Sequence, residues 1–205
     1  ESQSGAFFAH FTTISSHYPF KWEWGISMPE HVLDYPKPGM YGDYRRAAYY
    51  EDYAFGKLWE NFSSSRLYNN TIVIVTADHG IWSFDEAENN SLLMMNEKFF
   101  RMPLMIYHPD VDIAMQIDQV SSQMDIAPTI LAMLGMHEEK QQFVGKNMLQ
   151  PVAKPWAAMM KSGEVSIRLG NTLCSMARVA CAGPHQECMA KSYGEILLRE
   201  ISSLQ

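Results

Sequence analysis

The sequence predicts an α/β protein: a mainly parallel β-sheet flanked by helices, with a small antiparallel appendage at the C-terminal end. Three observations carry this. Residues 72–76, Ile-Val-Ile-Val-Thr, are apolar and mostly β-branched without the polar alternation of a half-exposed strand, which is the texture of a strand buried on both faces of a parallel sheet. Residues 43–62 put Tyr50, Ala54, Leu58 and Phe62 at four-residue steps along one helical face, and a helix delivered into the following strand has the order of a right-handed crossover. After Pro151 and Pro155 the texture changes: two strand-like runs, 165–169 and 172–180, flank Gly170-Asn171, a pair suited to a tight hairpin turn. The chain therefore divides into residues 1–150, the sheet-bearing part, and residues 151–205, the hairpin and a terminal helix.

The elements follow in order. Residues 5–14, Gly-Ala-Phe-Phe-Ala-His-Phe-Thr-Thr-Ile, read as a further buried strand, rich in aromatic and β-branched side chains, with His10 packed inside it. Pro19 holds Tyr18 extended and ends regular structure, so His17 is expected on a loop at the same carboxyl edge of the sheet as Asp78, where substrate contact and a plain loop role are both open. Trp22, Trp24, Pro29, Pro36, Pro38 and Gly39 mark a long irregular excursion. Asp43 is placed to cap the 43–62 helix. Ser63-Ser64-Ser65 and Asn69-Asn70 turn the chain toward the 72–76 strand. Residues 81–98 are polar and acidic, with Asp85, Glu86, Glu88 and Glu97, and read as a solvated loop. Residues 101–107 give another strand with Pro103 at its start, where a missing N–H is tolerated. His108 then sits in a turn with Pro109 and Asp110. Between residues 125 and 135, Asp125 as cap, Pro128 in the first turn, Ile130, Leu131 and Leu134 as the apolar face and Gly135 at the close define a helix. Residues 187–204, with Ile196, Leu197 and Ile201, read as the terminal helix.

Composition excludes some functions. The 205 residues carry 16 Lys and Arg against 23 Asp and Glu, a formal charge of −7, and no basic cluster larger than Arg45-Arg46. A nucleic-acid partner is therefore not expected. No apolar run reaches the roughly 18 to 20 residues that cross a bilayer. The chain opens on polar residues without an initiator Met just before a strand-like run, the look of a segment cut from a longer protein. Three cysteines, Cys174, Cys181 and Cys188, lie in the tail; a pair among them would staple it, and buried free thiols are the alternative.

Chemistry concentrates where the 72–76 strand stops, at Asp78-His79-Gly80. Ligands of open α/β sheets bind beyond the carboxyl ends of the strands, and a carboxylate beside an imidazole there makes a pair of metal donors. Gly80 lets the chain turn away without crowding them. A helix cap and an ordinary loop histidine would look the same at this length of motif.

Four segments, in this order, resemble the alkaline-phosphatase-like superfamily, sulfatase branch, and most closely the lipoteichoic acid synthase-like phosphoglycerol transferases. They are Phe7-Phe8-Ala9 through Ser16-His17-Tyr18-Pro19-Phe20, Leu67-Tyr68-Asn69-Asn70-Thr71 through Asp78-His79-Gly80, Arg101-Met102-Pro103-Leu104, and Asp125-Ile126-Ala127-Pro128-Thr129 with Leu134-Gly135. The resemblance implies an alkaline-phosphatase-like fold. It also implies that Asp78 and His79 are adjacent ligands of one divalent metal ion (Mn, Mg or Zn, or Ca in a sulfatase), completed by a carboxylate and the nucleophile from upstream, and that His17 binds near the substrate phosphate or leaving group.

No stretch of this chain matches the family's nucleophile or its first metal carboxylate, and the three cysteines lack the sulfatase Cys-x-Pro-x-Arg setting. The expectation is a C-terminal part of a phosphoglycerol-type head-group transferase, inactive alone; a sulfate-ester hydrolase and a non-catalytic binding relative are the alternatives. The substrate would be a phospholipid or another phosphate or sulfate ester. The resemblance further implies an extracytoplasmic location and a membrane attachment through a missing N-terminal region.

Overall fold

The computed structural model of the chain describes residues 5–21, 25–33, 39–80, 99–112, 114–136, 143–161, 164–175 and 180–182. Their elements are α1 (Glu30–Leu33), α2 (Met40–Ser63), a 3₁₀ turn (Tyr68–Asn70), β1 (Val73–Thr76), β2 (Leu104–Tyr107), a second 3₁₀ turn (Gln123–Asp125) and α3 (Ile126–Met133). Strands β3 (Trp156–Lys161), β4 (Glu164–Leu169), β5 (Thr172–Ser175) and β6 (Ala180–Ala182) follow. β1 pairs with β2, and β3 to β6 form a separate four-stranded sheet in chain order. Two compact units result: residues 1–73 with 107–110, and residues 74–106 with 111–205.

In the first unit, α2 begins one turn earlier than Asp43. Gly39 stands at its N-cap position with φ 89° and no side-chain cap, a backbone that glycine adopts without Cβ strain. Asp43 instead lies in the first turn and accepts a hydrogen bond from Arg46 at 3.1 Å. A second Arg46 nitrogen donates to the Leu33 carbonyl at 2.9 Å, which satisfies an end carbonyl of α1. Phe20, Met28, Val32 and Ala47 are buried apolar residues among the described residues of this unit. At the far end of α2, Trp59 packs edge-on against Tyr107 at 4.9 Å and near Phe62 at 5.7 Å, and the Tyr68 and Tyr107 hydroxyls share a hydrogen bond.

The segment 5–14 departs from expectation. It carries no regular structure, and Phe8, Phe11 and Ile14 are 82%, 80% and 81% exposed. His10 is likewise exposed rather than packed in a core. β propensity reports how a side chain fits a pleated surface, and a strand also needs a ladder partner; among the described residues none pairs with 5–14. For the same reason β1, with β2 as its one described neighbour, is half-buried rather than covered on both faces.

In the second unit, the entry to α3 is capped one turn before Asp125. The Ser122 hydroxyl accepts from the Met124 N–H at 3.1 Å, and the Asp125 carboxylate reaches back to the Ser122 N–H at 2.7 Å, a reciprocal capping box. The other Asp125 oxygen accepts from the Lys146 N–H at 2.7 Å, so one carboxylate ties the 143–150 loop to the helix start. At the C-terminal end Gly135, at φ 68°, permits a Schellman motif: the Met136 N–H donates to Leu131 at 2.9 Å and the Gly135 N–H to Ala132 at 3.1 Å.

The buried residue of α3 is Thr129, 0% exposed, while Leu134 is exposed. Its hydroxyl donates to the Asp125 carbonyl at 2.6 Å and accepts from the Met148 N–H at 2.9 Å. Thr129→Val keeps the volume but orphans a buried N–H. It is expected to cost about 1–3 kcal/mol, read as a lower urea midpoint at unchanged m-value.

The tail is the antiparallel appendage that the sequence predicts, with one strand more on each side of the hairpin. Gly170, at φ 51°, and Asn171 join β4 to β5 in the register Leu169↔Thr172. Ile167, Leu173 and Cys174 are buried. Cys174 is disulfide-bonded, and its register partner across β5 and β6 is Cys181. Trp22, Trp24, the 81–98 loop, Cys188 and the 187–204 helix lie outside the described residues.

Candidate metal centre

β1 ends at Thr76, whose hydroxyl donates to the Pro103 carbonyl at 3.0 Å, fastening the strand to the start of β2. Two residues on, Asp78 and His79 emerge with side chains 87% and 53% exposed. The His79 N–H donates to Asp78 Oδ1 at 2.8 Å, so this oxygen is engaged locally and Oδ2 remains to face outward. His79 Nδ1 lies 2.9 Å from the Gly80 carbonyl. A carbonyl can only accept, so Nδ1 carries the proton and the lone pair of a neutral ring is on Nε2.

The ring plane is fixed as well. His79 stacks on Phe99 with centroids 5.0 Å apart and planes 16° from parallel, and the Gly80 N–H donates to the Phe99 carbonyl at 2.7 Å. Gln123 reaches the same turn: its amide nitrogen lies 3.0 Å from the Ala77 carbonyl and 2.9 Å from that of Asp78. The sequence reading included neither Phe99 nor Gln123, because nothing in their spacing marks them as neighbours of residue 79.

Asp78 Oδ2 and His79 Nε2 face each other at 3.7 Å. Both present lone pairs when the ring is neutral. Donors each about 2.0–2.2 Å from one cation lie no more than about 4.4 Å apart, and the 3.7 Å separation meets that limit. The pair therefore fits as two ligands of one divalent ion. No group of three or more metal-ligating side chains occurs among the described residues, so two donors are what this stretch offers.

His17 belongs to the other unit. It sits between two successive turns, its N–H donating to Ile14 at 3.1 Å and its carbonyl accepting from Phe20 at 2.8 Å. His17 Nδ1 donates to the Tyr18 carbonyl at 2.7 Å, which again leaves Nε2 open, on an exposed side chain. The loop is anchored by Phe20, 7% exposed, whose ring meets Tyr44 edge-on at 5.4 Å. Burial pushes the Tyr44 hydroxyl above its ordinary pKa, with Glu51 and Tyr41 adding to the shift. Phe20 holds φ 57°, a left-handed backbone that costs a bulky residue about 1–2 kcal/mol, so packing of its ring is what keeps the turn in place.

Comparison with known proteins places this geometry in context. The family model described as Sulfatase matches residues 1–136. A protein in the alkaline phosphatase superfamily from Vibrio parahaemolyticus superposes with a TM-score of 0.59 at 24% identity, over 78% of this chain and 36% of that one. Ps i-CgsB, solved in complex with k-i-k-neocarrahexaose, gives a TM-score of 0.59 at 20% identity, over 92% of this chain and 47% of that one. The chain thus spans less than half the length of these solved structures. A search of curated proteins finds no match. The neighbours show an alkaline-phosphatase-like fold, and the described residues supply helices with a two-stranded and a four-stranded sheet.

Proposed function

The chain belongs to the sulfatase family, whose chemistry is that of phosphate and sulfate esters, and from that premise we propose that it is the metal-binding part of a phosphoglycerol-type head-group transferase. The observation that carries the metal assignment is the pairing of Asp78 Oδ2 with His79 Nε2 at 3.7 Å, with Nδ1 of the same ring spent on the Gly80 carbonyl. Mn, Mg and Zn all suit one oxygen and one imidazole donor. A divalent ion held there supplies positive charge beside the ester oxygens, where negative charge grows as the nucleophile attacks.

The chain's own residues do the rest of their part as positioning and hydrogen bonding. His17 Nδ1 donates to the Tyr18 carbonyl, so Nε2 would donate to an ester oxygen or to the leaving oxygen only as the imidazolium, in which both ring nitrogens carry protons. The nucleophile that takes the phosphoryl group, and then passes it to an acceptor alcohol, lies outside this chain, so two half-reactions share one centre. The transferase reading is preferred because Ser16-His17-Tyr18-Pro19-Phe20 resembles that branch. Its substrate is a phospholipid at a membrane face outside the cytoplasm, reached through a segment not in this sequence; no described helix is long and apolar enough to cross a bilayer. The family's description, Sulfatase, favours a second reading, hydrolysis of a sulfate ester, for which water would be the final acceptor and Ca the ion.

The full-length protein supplied with Mn²⁺ and labelled phosphatidylglycerol is expected to release diacylglycerol. His17→Ala should slow that release by about 10²-fold while Mn²⁺ affinity changes little. Rapid cleavage of an aryl sulfate without lipid turnover would replace the transferase reading by the second one.

A further inference from the structure

Among the described residues, Gln123 bridges farthest along the sequence to reach the Asp78-His79 turn, and a metal-site pattern does not account for it. It stands at the start of the 3₁₀ turn Gln123–Asp125. That turn is fixed independently of the candidate centre, by the Ser122 and Asp125 capping box and by the Asp125 bond to Lys146. From this platform the amide nitrogen spans the carbonyls of two consecutive residues, Ala77 at 3.0 Å and Asp78 at 2.9 Å. A third, weaker contact reaches the Met102 sulfur at 3.6 Å. An amide NH₂ has two protons and both are directed at acceptors.

These two carbonyls follow the last residue of β1, where the ladder to β2 no longer holds the backbone. Without Gln123 their lone pairs would turn to water, and the peptide planes on either side of the Asp78 Cα would be held less firmly, by the His79 N–H bond to Asp78 and the contacts of His79 and Gly80 with Phe99. Both donors of the candidate centre hang on those planes, so their 3.7 Å separation depends on the backbone that Gln123 fixes. We propose that Gln123 is a positioning residue for the metal centre, setting the geometry of Asp78 and His79 through the main chain without touching the ion. This rests on the metal reading of Asp78 and His79 and adds to it which distant residue sets their affinity.

The test is Mn²⁺ binding to the full-length protein, by calorimetry and by the electron paramagnetic resonance of free Mn²⁺, alongside melting of the metal-free form. Gln123→Met keeps length and removes both donors; Gln123→Ala removes the side chain. Each is expected to weaken Mn²⁺ binding by about 10- to 100-fold, the range seen for groups that orient metal ligands, with the metal-free melting temperature within a few degrees of the parent. Asp78→Ala runs beside them and should abolish binding. If Asp78→Ala abolishes binding but both Gln123 variants bind like the parent, the Gln123 assignment is overturned and the metal reading stands. Two Gln123 variants that fail to fold would overturn it also, making the residue a support of the fold. Undiminished Mn²⁺ binding by Asp78→Ala would remove the metal reading and this inference together.

Discussion

In the full-length protein, Asp78→Ala and His79→Ala are each expected to lower metal-dependent turnover by about 10²-fold or more, the scale on which loss of a group that stabilises transition-state charge is felt. Stability should hardly move, because both side chains are largely exposed and surface substitutions of this kind stay within about 0.5 kcal/mol. The two effects together separate a ligand from a structural residue. Neither substitution disturbs β1, whose strand ends before them and is fastened by Thr76 to Pro103. Steady-state rates against Mn²⁺ concentration, with a urea titration of each variant, are the measurements. Turnover that stays metal-dependent and undiminished in both variants would remove the assignment.

Gly145→Ala is expected to cost more stability than the same methyl at Gly5, Gly25, Gly39, Gly56, Gly135 or Gly170, where a Cβ would meet nothing within 4 Å. A Cβ at residue 145 would lie 1.9 Å from the Met124 carbonyl oxygen, 2.3 Å from its carbon and 2.8 Å from the Asp125 nitrogen. All three atoms are backbone, and they belong to the turn that carries the capping box, so no side chain can swing aside. Overpacking ordinarily costs about 1–3 kcal/mol, and a contact this short against main chain belongs at or above the top of that range. The displaced loop would also pull the Lys146 N–H from Asp125. Thermal unfolding checks this directly; Gly56→Ala, at a helical site with open space around its Cβ, is the control and should be neutral or slightly stabilising.

What the sequence made legible was local. The β-branched run at 73–76 announces its strand because few other conformations suit four such residues in a row. Gly135 and Gly170 announce a helix end and a hairpin because each holds a positive φ that other residues resist. Ser122 and Asp125 both have cap chemistry at a spacing of three, and the cap fell to the first of them since Asp125 could then serve the box and the Lys146 loop at once. β3 was missed because Trp156 is followed by two alanines and two methionines, weak strand formers that are held by their pairing with β4. Residues 5–14 fail in the opposite sense, having propensity without a partner among the described residues.

The candidate centre shows the same limit. Asp78 and His79 are adjacent and follow a strand, so they can be picked out from the sequence as a candidate pair. The contacts that orient them come from Phe99 and Gln123, which the fold brings to the turn from far along the chain. Side-chain spacing carries no trace of such long-range neighbours.

The central claim is that one divalent ion binds between Asp78 and His79. Anomalous difference density from a crystal of the full-length protein grown with Mn²⁺ tests it most directly. The account predicts a peak about 2.0–2.2 Å from both Asp78 Oδ2 and His79 Nε2, lost in Asp78→Ala crystals. Well-ordered Asp78 and His79 side chains with no peak between them, or an ion bound elsewhere that leaves both untouched, would contradict it.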